Sequence, residues 1–162
     1  MRILGIDPGA RVTGYGVVAV RGREIGFVAC GTIRTGPETV FSRRLHTIFE
    51  DLCAVILRHQ PTVAAMEEVF VARNPRSALK LGQARGAAAV AVLQHGLDLF
   101  DYPARQVKQA VTGYGQAEKV QVQHMVRALL DLDSTPSPDA ADALAVALCH
   151  AHHAALYRRC GV

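Results

Sequence analysis

The chain has the length of one ordinary domain, 162 residues, and it is half hydrophobic and one-fifth charged, with 14 Gly and 7 Pro. That composition excludes a disordered segment, a fibrous repeat or a miniature that needs stapling. The longest apolar runs, residues 87–93 and 143–149, span seven residues, against the roughly 20 a bilayer-crossing helix requires. With Asp7 interrupting the start before a secretory apolar core can form, the reading expects a soluble, cytoplasmic protein.

In chain order, residues 2–6, 14–20 and 24–34 read as extended segments separated by turn glycines, which predicts an antiparallel meander. The period then changes. Phe41, Leu45, Ile48, Phe49, Leu52 and Ile56 fall on one helical face, and Pro61 ends that helix. Residues 62–69 are short enough to predict a buried strand, and a second helix follows over about 75–95. Its half from 86 to 93 is apolar all round, which predicts a helix buried on every side. Residues 97–101 read as a last strand. From Pro103 onward the pattern is helical, with a final helix opening at Ser137-Pro138. Strands joined through a helix usually run parallel, so the expected fold is α/β: one domain holding a five-stranded mixed sheet flanked by helices. The four cysteines form no CxxC pair and read as reduced thiols.

Charge is segregated along the chain. Residues 69–97 contain Arg73, Arg76, Lys80 and Arg85 and no acid, and residues 8–23 contain Arg11, Arg21 and Arg23 and no acid. Such segregation suits a polyanion, although solvated helix faces would look the same. The acids fall elsewhere, and some fall inside apolar segments, where an unpaired carboxylate is costly. Asp7 closes the first strand, Glu67 sits in the fourth, and Asp139 and Asp142 share a face of the last helix. If the first and fourth strands are neighbours, all four can converge. Like charges so close imply a bound cation, and an all-oxygen set favours Mg²⁺ or Mn²⁺, with two ions expected, as in phosphodiester hydrolysis. Alternatives stay open at this level. Asp7 before Pro-Gly suits a turn, Asp139 complements a helix dipole, and Glu68 competes with Glu67 because alternation sends the two to opposite faces. The Gly14-Tyr-Gly16 string continues as a strand and so does not make a dinucleotide site. His150, His152 and His153 fit no zinc spacing and are expected at a surface helix end.

Four ordered blocks, ILGIDPGARVTGYGVV, EEVFVARNPRSALKLGQARG, ARQVKQAVTGYGQAEKVQVQHMV and DAADALAVA, span about residues 2–150. In them the chain resembles the RuvC family of crossover-junction endodeoxyribonucleases, Holliday-junction resolvases with a ribonuclease-H-like fold. The resemblance implies that Asp7, Glu67, Asp139 and Asp142 form a metal-binding acidic quartet. Some relatives carry His at the third position, where this chain has Asp139. It implies Phe70 as an aromatic set against a junction base, and Lys108 and Lys119 as cations near the scissile phosphate. Arg73, Arg76, Lys80 and Arg85 are expected to contact the DNA backbone. Also implied are a homodimer nicking opposed strands of a four-way junction, and a branch-migration motor of RuvA and RuvB type as partner. Competing readings are a junction-binding module without catalysis and an enzyme of the same fold acting on RNA.

Overall fold

The computed structural model describes residues 1–68 and 74–160, the side chains of 155–160 excepted. Its elements are β1 (Arg2–Asp7), β2 (Val12–Arg21), β3 (Glu24–Arg34), α1 (Phe41–His59), β4 (Val63–Glu67), α2 (Pro75–Gln94), β5 (Leu99–Tyr102), α3 (Ala104–Thr112), α4 (Lys119–Leu129) and α5 (Pro138–Cys160). The sheet order is β3-β2-β1-β4-β5. β1, β2 and β3 form the antiparallel meander, and β4 and β5 extend it in parallel. The mixed sheet read from the sequence is the sheet observed.

Strand alternation divides the core into two layers. Ile3, Val18, Val63 and Ala65 belong to the cluster shared with α3, α4 and α5, whereas Leu4, Ile6, Val17, Ala64 and Met66 belong to the cluster shared with α1 and α2. α5 is the axis of the first layer, since residues 140–141 and 143–151 are all buried. It can lie this low because the strands beneath it carry glycines. A methyl group added at Gly5 would stand 2.0 Å from the Ala143 carbonyl oxygen, and one added at Gly14 would stand 2.0 Å from that of Asp139. Only a residue without Cβ permits such an approach.

Two expectations need correction. α2 is not buried on every side: its inner face is Ala84, Ala88, Ala91 and Val92, while Leu79, Val90 and Leu93 are exposed. Counting Ala and Gly as apolar made an ordinary one-sided helix look buried all round. The helix that is buried over most of its length is α5. The helices expected after Pro103 are α3 and α4 ahead of α5, with Gly113 taking a positive φ of 78° and capping α3. Nor are the C-terminal histidines a surface helix end. His150 is buried with its Nδ1 2.8 Å from the Tyr102 hydroxyl, His153 hydrogen-bonds Gln106, and His152 Nδ1 lies 3.1 Å from the Ala110 carbonyl oxygen. β5 and α3 cover this part of α5, and the rings of Phe100 and Tyr102 pack on His150.

Candidate active site

Asp7 ends β1 and Glu67 ends β4, each one residue beyond the paired Ile6 and Met66 of two parallel neighbours. The alternation that sends Ile3 and Ala65 toward α5 sends Asp7 and Glu67 the same way. Glu68 is turned from that face and is exposed, so of the two glutamates Glu67 is the one on the face of Asp7. The α5 layer brings the other two acids. Gly14 lies opposite Asp7 in the β1–β2 register and touches the Asp139 backbone, so the first turns of α5 sit directly over the end of β1.

The electrostatics report the convergence. Burial pushes the Asp7 carboxyl up to about 7, and the charges of Asp142, Glu67 and Asp139 push in the same direction against Lys119. Glu67 is raised by burial and by Asp142, with Lys108 and Lys119 opposing. A hydrogen bond to Asp142 raises Lys119, whose Nζ lies 2.7 Å from Asp142 Oδ2. Lys119 opens α4 beside a reciprocal cap between Glu118 and Gln121, which fixes where that helix starts. Asp7 therefore lies within reach of the charges of the other three carboxylates and of Lys119, and Lys108 acts on Glu67.

This set fits a hard divalent cation by donor chemistry: every donor is a carboxylate oxygen, and a cation offsets both the burial and the mutual repulsion that raise Asp7. Among the described residues, no three His, Cys, Asp or Glu side chains stand close enough to hold an ion as they are. The Asp142 oxygen is instead held by the Lys119 ammonium.

The basic candidates separate. Arg76 and Lys80 are exposed on the first turns of α2. Arg85 is paired with Asp101 of β5 and is not a free cation. Phe70 and Arg73 lie outside the described residues. A cleft of about 600 Å³ beside Asp139 is lined by Arg11, Arg44 and Lys80. Arg44 was not singled out by the sequence reading, and Arg11 only as part of an acid-free stretch. The charge segregation was the available signal, but it could not show that the β1–β2 loop faces α1.

Residues 3–150 match the family described as "Crossover junction endodeoxyribonuclease RuvC". A protein so described from Marinobacter nauticus is 57% identical over 150 residues, covering 93% of this chain and 85% of its own. One from Geobacter metallireducens is 54% identical over 156 residues, covering 96% and 95%. Among solved structures, T. thermophilus RuvC in complex with a Holliday junction substrate superimposes with a TM-score of 0.90 at 39% identity, covering 96% of each chain. A yeast mitochondrial Holliday junction resolvase shares the fold, with a TM-score of 0.69 at 12% identity over 97% of this chain and 83% of that one.

Proposed function

Because this chain belongs to the RuvC family, a family of metal-dependent crossover junction endodeoxyribonucleases, we propose that its acidic cluster is the centre at which it nicks DNA. The protein is an endonuclease that resolves four-way junctions, acting in recombination and repair. What supports the assignment of residues is that the charges of Glu67, Asp139 and Asp142 all act on Asp7, at the ends of two parallel strands and the start of α5, with Lys119 on Asp142.

In this proposal the four acids would hold the ions, Mg²⁺ with Mn²⁺ as a substitute and two per site expected. Bound there, divalent ions supply the positive charge that in-line hydrolysis of a phosphodiester requires. The protein's own side chains do the rest. Lys119 keeps the carboxylates compensated until substrate arrives, and then its ammonium and that of Lys108 are free to meet negative charge on the phosphate. Arg76 and Lys80 contact the backbone of the approaching strand, and Phe70 stacks on a junction base. Arg73 and Arg85 complete the expected backbone set, Arg85 only after leaving Asp101.

The chain acts as one domain and as a symmetric homodimer. Leu79, Gly82, Gly86, Val90 and Leu93 are exposed on α2 at helical spacing, and nothing stands within 4 Å of a methyl built at either glycine. That is an apolar stripe onto which a second copy of α2 can pack closely. A two-fold junction calls for two equivalent sites, and a motor of RuvA and RuvB type delivers the junction in the cytoplasm. No helix among the described residues is long and apolar enough to cross a membrane.

The test is cleavage of a synthetic immobile junction by four variants, Asp7→Asn, Glu67→Gln, Asp139→Asn and Asp142→Asn. Each is expected to lose strand scission by at least about 10³-fold while keeping junction affinity, and Glu68→Gln to keep both. Cutting retained in any of the four would remove that residue from the site.

A further inference from the structure

The cleft beside Asp139 is built before any ligand arrives. The β1–β2 loop lines it, and two buried hydroxyls hold that loop in place. Thr13 Oγ1 donates to the Gly9 carbonyl at 3.0 Å, and Thr35 Oγ1 donates to the carbonyls of Ala10 and Arg11 at 3.4 Å. Thr13 is wholly buried and Thr35 is 6% exposed. Arg44 of α1, also in the lining, is half-buried and donates through Nε to the Glu38 backbone oxygen, so its terminal nitrogens keep their donors. The Lys80 ammonium stands 5.7 Å from the centre of the Phe41 ring. Among the described residues none of Arg11, Arg44 and Lys80 forms an ion pair, and Asp139 is the one carboxylate that lines the cleft. Arg11 and Lys80 are exposed and Arg44 is half-buried, so three cations line one small cleft with their charges open to solvent, and an anion seated there would relieve their mutual repulsion. Two are arginines, whose forked donors match phosphate oxygens.

We propose that this cleft is a backbone-phosphate subsite: Arg11 and Arg44 grip a phosphate of the strand to be cut, next to the scissile one, and Lys80 screens it. The inference rests on the nuclease reading, since Asp139 is shared between the cleft and the acidic cluster. It adds two positioning residues from elements that reading did not use. A strand held here enters over the β1–β2 loop and reaches the acids already in register, so the grip acts on binding more than on the chemical step.

The experiment measures junction affinity against salt for Arg11→Gln, Arg44→Gln and the double variant, all in an Asp7→Asn background that binds without cutting. Arg21→Gln, on an exposed strand end, is the control. The double variant is expected to flatten the slope of log K against log salt by about 1.5, each single by about half of that, and the control not at all. Arg11→Lys and Arg44→Lys should keep the slope, and they carry the test if the double variant does not fold. With Asp7 restored, KM should rise several-fold with kcat held within about threefold. An unchanged slope in the double variant, or a fall in kcat at constant KM, overturns the subsite. If the unmodified protein neither binds nor cuts junctions, the nuclease reading fails instead.

Discussion

Asp7 is the residue on which the site's energetics turn. Its carboxyl titrates near 7 in the folded protein against 3.8 when unperturbed, so between those values the native state holds a proton that the unfolded chain has released. Stability from this group is therefore complete below about pH 4 and is lost as pH rises toward 7, an effect on the order of 4 kcal/mol. In chelator-containing buffer the melting temperature should fall from pH 5 to pH 8. Asp7→Asn should flatten that slope and melt higher at pH 8, and millimolar Mg²⁺ should restore the unmodified protein at pH 8. A melting temperature independent of pH and of Mg²⁺ would show that Asp7 is not buried among like charges as described. At this scale the sequence was informative. A carboxylate ending an apolar strand is costly enough to signal its purpose, and alternation singled out Glu67 or Glu68 as a pair of which one must face away. Which one faces α5 required the β1–β4 register. The pairing of Arg85 with Asp101 could not be read, because partners 16 residues apart on different elements leave no periodic trace.

At the scale of elements, α5 places half of the quartet, and the strands admit it only through glycine. Gly14→Ala would drive a methyl into the Asp139 carbonyl at 2.0 Å. The expected cost is about 1–3 kcal/mol of stability, with a larger loss in cleavage, about 10²-fold, because the first turn of α5 shifts away from Asp7. Gly26→Ala on β3, where the added methyl meets nothing within 4 Å, is the control. Equal and small losses in both variants, read by thermal melting and single-turnover cleavage, would detach α5 seating from activity. The helices were legible where polar and apolar residues alternate, as in α1. They were misread where the apolar residues are small: Ala and Gly cost little in water, so the run at 86–93 says nothing about burial. The histidines of α5 were misread for the opposite reason. Polar rings are satisfied inside when a tyrosine hydroxyl and a glutamine reach them.

For the whole molecule the question is symmetry. The α2 stripe is the surface on which a second copy would bury Leu79, Val90 and Leu93, so Val90→Glu should shift the protein to monomer by light scattering and abolish paired nicking while leaving the melting temperature within a few degrees. A dimer that survives this charge would move the interface elsewhere. The oligomer was not legible in periodicity, since an exposed apolar stripe and a buried one have the same sequence pattern. The family resemblance supplied the expectation, and the exposure of the stripe supports it. The central claim is that the acids at the ends of β1, β4 and α5 cut DNA at equivalent points of a branched substrate. It is met most directly by strand-resolved sequencing gels of an immobile four-way junction incubated with the full chain and Mg²⁺. Two nicks at symmetry-related positions on opposed strands, giving ends that ligase seals, are the predicted result; single nicks, or equal cutting of a linear duplex, would contradict it.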